Sequence, residues 1–258
     1  MKITLLGTGT SVGIPSLGQL GWGKCNPQNP KNTRQRCAVL IQSNNTNILI
    51  DAGPDIKNQL IGHNLPSLDA IIITHEHADH ISGLDELRPF YFPKQERINI
   101  YTIERTANFL SNRFDYLFKK NEKSQSYFKP PMNLNILNYY DEINFNDINI
   151  KTIKQHHGVI DTIGIIINDK FAYCTDVVDF PEDSFNQLRN LDTLVITGLR
   201  ATPHIAHAHF DLTFSWISEL KPKKAYLTHL SPDSDHDNVL SLCPSNVAPA
   251  YDNMSFSI

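Results

Sequence analysis

The segment Thr74–His80 reads T-H-E-H-A-D-H and follows a strand-like apolar run, Leu68–Ile73. It holds three of the chain's 11 histidines together with the carboxylate of Asp79. The residues that follow it, Ile81–Leu87, have the pattern of a helix start. A strand that ends in a turn rich in metal ligands is a rigid platform for a metal site.

The spacing inside this segment predicts two adjacent metal positions. His75 and His77 are two residues apart, so their rings leave an extended chain on the same side and can share one ion. Asp79 and His80 follow one turn later and point elsewhere, which suits a second ion beside the first. Imidazole favours zinc and similar transition metals, and a carboxylate adds negative charge. The zinc-protease motif H-E-x-x-H is excluded, because His80 lies five positions after His75.

Further candidate ligands follow later strand-like segments. The run 147–154 leads to two adjacent histidines, and the residues leave open which of them faces the site. The run 171–174 leads to Asp176, whose two oxygens could each bind one ion; Asp179 is the nearby alternative. Strand ends that converge on one sheet edge would build a single site. Five strand-like segments of the chain end in a polar residue of this kind. These residues are Asp51, His75, one of His156 and His157, Asp176 and His229.

The length, composition, net charge and cysteine content of the chain limit which class of protein it can be. The chain has 258 residues, of which 40% are hydrophobic and 19% charged, so we expect one globular domain over residues 1–258. A net charge of -4 disfavours nucleic acid as a partner, although a local basic patch is compatible with it. The four cysteines are scattered without a C-x-x-C pair, which indicates a reducing cytoplasm. No stretch is long enough for a membrane span or a signal peptide.

The motif H-x-H-x-D-H in Thr74–His80 resembles the signature of the metallo-β-lactamase-fold hydrolases. The resemblance covers almost the whole chain. It is closest to one branch, the phosphoribosyl cyclic phosphodiesterases linked to carbon–phosphorus lyase. Many members of that branch carry a cysteine cluster that binds a structural zinc, whereas Gly21–Pro27 holds only Cys25, so we expect no structural zinc here. The matching segments are Gly7–Thr10, Arg34–Cys37, Thr74–His80, Thr175–Asp176, His209–Leu212, Leu227–His229 and Tyr251–Asp252.

The resemblance implies an α/β fold, a four-layer αββα sandwich with two divalent ions, zinc or manganese, at one edge. In the family's pattern the ligand lies directly before a small residue, which selects His157 over His156. Asp51 would support the ligands by hydrogen bonding. The implied ligands are His75, His77 and His157 for the first ion, Asp79, His80 and His229 for the second, and Asp176 between them.

The implied reaction is hydrolysis of a phosphodiester, with a small cyclic phosphate as substrate, by a hydroxide that the two ions share. Asp79 and His209 are the catalytic candidates. Related phosphodiesterases carry a pocket histidine just before a helix, and His209 fits that position. It would bind substrate and stabilise charge or protonate the leaving oxygen. His204 and His207 would assist it or line the loop.

Three arginines are candidates for contacts with an anionic substrate, Arg34, Arg36 and Arg88. A solvated loop end is an equally good interpretation of Arg34 and Arg36, and a structural role is the alternative for Arg88. The aromatic and basic segment 115–133 is predicted to form an excursion over the pocket. Its composition also suits a nucleic-acid contact, which we favour less.

Other functions compete with this prediction. A tRNA 3′-processing endonuclease of the same superfamily is disfavoured by the low net charge and by the lack of an obvious tRNA-binding arm. Thioester hydrolysis is a further alternative. A protein that kept the fold and binds metal without catalysis belongs to a different class. We expect a small phosphorylated substrate and no membrane partner, and homodimer formation is left open.

Overall fold

The computed structural model describes residues 1–44, 46–119 and 129–258. Within them, two seven-stranded sheets pack face to face and helices cover both outer surfaces. This arrangement is the αββα sandwich that the sequence predicted. The central part of the predicted excursion over the pocket, residues 120–128, lies outside the described residues.

The strands divide between the sheets by position in the chain, except that the last one joins the first sheet. The orders are β14-β1-β2-β3-β4-β5-β6 and β13-β12-β11-β10-β9-β8-β7. The strands are β1 (Lys2–Gly7), β2 (Ala38–Ser43), β3 (Thr46–Ile50), β4 (Ala70–Ile72), β5 (Ile98–Ile103), β6 (Met132–Leu137), β7 (Glu142–Phe145), β8 (Ile148–His157), β9 (Ile160–Ile167), β10 (Phe171–Cys174), β11 (Thr193–Thr197), β12 (Lys224–Thr228), β13 (Val247–Pro249) and β14 (Met254–Ser257).

The helices form the two outer layers. Apolar side chains of α1, α3 and α4 and of a 3-10 helix cover the first sheet, and those of α5, α6 and α7 cover the second. The helices are α1 (Ile56–Ile61), α2 (Ala78–Ile81), α3 (Glu104–Arg113), α4 (Asp115–Phe118), α5 (Glu182–Gln187), α6 (Phe210–Leu220) and α7 (His236–Leu242), with 3-10 helices at Pro30–Asn32 and Leu84–Phe90.

Strand β2 shows why the apolar runs of this chain are continuous rather than alternating. Val39 and Ile41 pack between the two sheets, whereas Ala38 and Leu40 pack under the helices. Successive side chains of a strand point to opposite faces, and here both faces are covered. A central strand of a four-layer sandwich therefore needs an apolar residue at almost every position.

The strand directions bring the candidate ligands to one edge of the sandwich. Strands β3 and β4 are parallel in the first sheet, and β10, β11 and β12 are parallel in the second. Strand β8 is antiparallel to β9, which is antiparallel to β10, so β8 and β10 end at the same edge. There the sheets are joined by the bond from the Ile163 amide to the Thr74 carbonyl (3.2 Å).

Among the described residues no helix is long and apolar enough to cross a membrane.

Candidate metal centre

Three imidazole nitrogens meet where β4 and β8 end. The Nε2 atom of His75 lies 3.0 Å from Nδ1 of His77. The Nε2 atom of His157 lies 3.3 Å from the same Nδ1 atom. Ligand atoms about 2 Å from a zinc ion lie up to about 4 Å from one another, so the three could hold one ion together.

A second group lies next to the first. The Nε2 atom of His80 is 3.2 Å from Oδ2 of Asp79 and 3.2 Å from Oδ2 of Asp176. His229 comes from the end of β12, and its Nδ1 atom is 3.4 Å from the same Asp176 oxygen. Asp79, His80 and His229 could therefore hold a second ion.

Asp176 lies between the two groups. Its Oδ1 atom is 3.7 Å from Nε2 of His157 and 4.0 Å from Nε2 of His75. Its Oδ2 atom is the one that approaches His80 and His229. The carboxylate is fixed by its neighbour, because the hydroxyl of Thr175 donates to Oδ2 (2.7 Å). One oxygen thus faces each group.

Three of the strand-end residues have left-handed backbone conformations. The φ angles are 63° at Asp51, 55° at Asp176 and 57° at His229. Residues other than glycine adopt this region at a cost of about 1–2 kcal/mol each. The conformation ends each strand abruptly, and the side chain turns back towards the cluster instead of continuing the alternation of the strand.

Asp51 anchors the ligand segment Thr74–His80 through hydrogen bonds to Thr74 and His80. It is fully buried, and its Oδ1 atom accepts a hydrogen bond from the Thr74 amide (2.8 Å). Its Oδ2 atom accepts from Nδ1 of His80 (2.7 Å). Because His80 donates through Nδ1, its Nε2 atom is the one presented to the cluster. The resemblance implied a hydrogen-bonding role of this kind for Asp51.

The structure separates the two histidines that the residues alone left open. His157 donates through Nδ1 to the carbonyl of Ala206 (2.7 Å), which directs Nε2 into the cluster. The ring of His156 points the other way, and its Nδ1 atom lies 2.7 Å from Oδ1 of Asp161. The register of β8 with β9 decides this, because it pairs His156 with Asp161.

His207 contacts the cluster, at the place where the sequence analysis expected His209. Its ring stacks on His229 with the centroids 4.6 Å apart, and its Nδ1 atom is 3.7 Å from Oδ1 of Asp176. His204 lies behind it, with ring centroids 5.1 Å apart. His209 is the N-cap of α6 and lies directly before the helix.

The ring of His209 is partly exposed and has no hydrogen bond, ion pair or ring contact among the described residues. The sequence contains a signal for His207, since this histidine directly precedes the small residue Ala208. The same criterion selected His157, which precedes Gly158.

The environment of Arg34 does not suit the predicted substrate contact. Its side chain is only 1% exposed. The Nη1 atom donates to the hydroxyl of Thr8 (2.8 Å) and to the carbonyl of Ala250 (2.5 Å). Burial lowers the pKa of Arg34 to about 10, and the nearby Asp252 opposes that shift. Arg34 therefore links the segment after β1, at Thr8, to the segment after β13, at Ala250, through buried hydrogen bonds.

We expect Arg34→Gln to lower the free energy of unfolding by about 3–5 kcal/mol, because it removes one partner of a buried charged network. Thermal or denaturant unfolding would measure the loss. The exposed Arg97, which donates to Asn133, gives the matched control Arg97→Gln. A raised KM for substrate without a loss of stability would instead support the predicted contact.

Arg88 lies on the 3-10 helix Leu84–Phe90 and pairs with Asp85 of the same helix (2.7 Å). Tyr116 also donates to Asp85 (2.8 Å). The charge of Arg88 is thus compensated by a carboxylate of its own helix.

Burial keeps most of the cluster histidines in the form that binds metal. It lowers the pKa of His77 and of His229 and, with the charge of His80, holds the pKa of His75 well below its usual range. These imidazoles are neutral at neutral pH, and a neutral ring nitrogen is the atom that coordinates a metal ion.

His80 has the opposite environment. Burial disfavours its charge, but Asp79, Asp176 and Asp51 outweigh burial and raise its pKa well above the usual value. In the same way burial would raise the pKa of Asp176, yet His229 and His80 lower it well below its ordinary range. Asp176 is therefore ionised although it is buried, and its negative charge attracts a cation.

An orphaned nitrogen in the ligand set fits a bound metal. Within the described part of the chain, Nε2 of His80 is buried and makes no hydrogen bond, although carboxylate oxygens of Asp79 and Asp176 lie 3.2 Å away. A buried nitrogen without a partner costs about 1–3 kcal/mol, and coordination would remove that cost. The donor set of imidazoles and carboxylates matches zinc or manganese. The residues present therefore fit the ions that the sequence analysis expected.

Comparisons with known proteins agree with this geometry. A family model described as the beta-lactamase superfamily domain matches residues 46–230. A solved structure described as a new diphosphatase from the PhnP family is 31% identical, covers 99% of this chain and 97% of that chain, and superimposes with a TM-score of 0.88.

Two curated relatives match as well. The chain is 29% identical over 259 residues to an octanoyltransferase of Porphyromonas gingivalis. This match covers 98% of this chain and 51% of that protein. A shorter stretch of 60 residues is 37% identical to ribonuclease Z of Bradyrhizobium sp. (strain ORS 278), covering 22% of this chain and 20% of that protein.

The chain spans about half of the octanoyltransferase and a fifth of the ribonuclease Z. The family model, in contrast, covers most of this chain, and the diphosphatase structure matches it from end to end. The chain belongs to the beta-lactamase superfamily and, within it, to the PhnP family.

Proposed function

We propose that the protein is a metal-dependent hydrolase of phosphoric diesters and that its substrate is a small cyclic phosphate. The observation that carries this proposal is the position of Asp176, which directs one oxygen to each of two ligand groups. Two adjacent cation positions joined by a carboxylate suit a reaction that develops negative charge on phosphoryl oxygens. The relative described as a diphosphatase supports a phosphorylated substrate.

The proposed ligands are those implied by the sequence. Two bound cations would make a water molecule nucleophilic near neutral pH and would neutralise the phosphoryl oxygens. We count Asp79 among the catalytic residues because it would help to hold the second ion. Its Oδ2 atom lies 3.2 Å from Nε2 of His80, another ligand proposed for that ion. The ligands are His75, His77 and His157 for the first ion, Asp79, His80 and His229 for the second, and Asp176 between them.

We assign to His207 the role of a hydrogen-bond donor that stabilises charge. Its side chain is 13% exposed, so it borders both the cluster and solvent. Its ring is held between His229 and His157, with centroid distances of 4.6 Å to each. Burial lowers the pKa of His207 to about 3, so the ring is neutral at neutral pH and can donate a hydrogen bond to a phosphoryl oxygen. The unpartnered His209, at the start of α6, would contact the substrate from outside.

The same site could act on nucleic acid, which is the second candidate function. The short match to ribonuclease Z supports it. The net charge of -4 argues against it, because phosphate-backbone binding depends on basic surface. We therefore favour a small phosphorylated substrate. One domain over residues 1–258, a cytoplasmic location and homodimer formation stay predictions.

The first test is hydrolysis of bis(p-nitrophenyl) phosphate, with the metal content measured on the same sample. We expect about two ions per chain and turnover that a chelator abolishes. Adding zinc or manganese back should restore turnover. A folded protein that binds neither ion would contradict the metal centre.

Substrate classes are compared next on the same preparation. We expect a higher kcat/KM for a five-membered cyclic phosphate of a sugar than for precursor tRNA. The reverse order would favour the nuclease. Two bound ions without turnover of any diester would direct attention to thioesters, and failure there would indicate a binding protein.

A further inference from the structure

Glu76 lies between two candidate ligands but faces away from them. Its side chain is 8% exposed. Successive residues of an extended chain point in opposite directions, so the rings of His75 and His77 face the cluster while Glu76 faces α3. The carboxylate is thus buried on the far side of the ligand segment, where it cannot coordinate the ion that the two histidines would share.

Both oxygens of Glu76 are bonded to the first turn of α3. The Nε atom of Arg105 donates to Oε1 (2.6 Å), and the hydroxyl of Thr106 donates to Oε2 (2.9 Å). Thr106 is fully buried, and Arg105 is 56% exposed. Charge-assisted bonds of this length are about twice as strong as neutral ones. The helix N-terminus also favours a negative charge at this place.

Three contacts hold the backbone that leads to His77. The hydroxyl of Thr102 donates to the Ile73 carbonyl (2.8 Å), and Asp51 accepts from Thr74. Glu76 is the last of these attachments before His77. His77 is exposed, and among the described residues its ring contacts His75 and His157, which are themselves candidate ligands. The position of the His77 ring therefore depends on the backbone that carries it.

The second ligand group is held by different contacts. His80 lies on α2 and is oriented by Asp51 through the 2.7 Å bond described above. His229 belongs to the opposite sheet. Neither depends on α3. A change at Glu76 should therefore act on one metal position and not on the other.

We propose that Glu76 is a positioning residue that sets His75 and His77 for the first ion, by fixing the segment between them to Arg105 and Thr106 of α3. The inference rests on the proposed function, because it assumes that this group binds metal. Loss of the attachment would leave both histidines present but poorly placed. Residues that orient metal ligands typically contribute 10- to 100-fold in affinity.

The test is a zinc titration of metal-free protein in competition with a chromophoric chelator, which resolves two binding steps. His77→Ala identifies the step that belongs to the first ion. In Glu76→Gln we expect the dissociation constant of that step to rise about 10-fold or more. The other step should stay as in wild type, and the Tm of the metal-free protein should change little.

Two further variants sharpen the test. Arg105→Gln removes the ion pair at an exposed side chain and should shift the same step in the same direction, even if Glu76→Gln fails to fold. Glu219 pairs with Arg189 at 2.5 Å on another part of the surface, so Glu219→Gln is the matched control and should leave both steps unchanged.

The outcomes separate the inference from the proposed function. Two ions in wild type with an unchanged first step in Glu76→Gln and Arg105→Gln would overturn only the role of Glu76. Equal weakening of both steps would also overturn it, because it would indicate general loosening of the fold. A wild-type protein that binds no ion would overturn the proposed function and this inference with it.

Discussion

Replacing Asp176 with alanine is expected to lower the hydrolysis of a phosphodiester by at least about 10³-fold. Stabilisation of transition-state charge by bound metal is worth several kcal/mol, and about 4 kcal/mol corresponds to that factor. Asp176 is the residue whose oxygens approach both groups, at 3.2 Å from His80 and 3.7 Å from His157. Its loss should weaken both metal positions together.

The measurement combines kcat/KM for bis(p-nitrophenyl) phosphate with metal content after dialysis. Asp179→Ala is the matched control, because Asp179 is an exposed aspartate three residues away and should tolerate the change. A variant without Asp176 that retains two ions and full turnover would rule out a bridging carboxylate. Metal content that falls while the Tm of the metal-free protein holds would exclude unfolding as the cause.

His207→Ala is expected to lower kcat by about 10²–10³-fold, the range for loss of one hydrogen-bond donor to a developing negative charge. The reason is position: the His207 ring is held against His229 and His157 at the cluster. His209→Ala should have a smaller effect, mainly on KM, because His209 is partly exposed at the start of α6. We expect both variants to keep about two ions per chain.

Rates at saturating and at limiting substrate separate these effects, with metal content measured in parallel. His156→Ala is the matched control, since the His156 ring is bonded to Asp161 and faces away from the cluster. A large loss of kcat in His209→Ala, with His207→Ala close to wild type, would restore the role that the sequence first suggested for His209. Loss of one ion in His207→Ala would make His207 a ligand instead.

The clustering of the candidate ligands was predictable in part, because several of them lie just after apolar strands. Parallel strands place their carboxyl ends at one edge of a sheet, which brings Asp51 and His75 together at the ends of β3 and β4. Asp176 follows a strand of the other sheet, so only the packing of the two sheets brings it to the same place. Local sequence carries that information, since the strand and the residue that ends it are neighbours in the chain. The αββα layers were implied by the resemblance of the motifs to the metallo-β-lactamase-fold hydrolases.

The choice among neighbouring histidines was not predictable from local sequence. His156 and His157 are adjacent in β8, and alternation requires only that they face opposite ways. The pairing of His156 with Asp161 in β9 decides which one faces the cluster. In the loop before α6 no periodic pattern exists, and the bond from His157 to the Ala206 carbonyl fixes the loop that carries His207.

The sequence by itself thus determined the fold class, the strand-end ligands and the chemistry that imidazole and carboxylate permit. Only the tertiary structure decided which side chains complete the site. Arg34 illustrates the reason, because its burial depends on the Ala250 carbonyl, which is 216 residues away in the chain. Contacts between such distant residues are set by the packing of the two sheets, and no local pattern of residues encodes them.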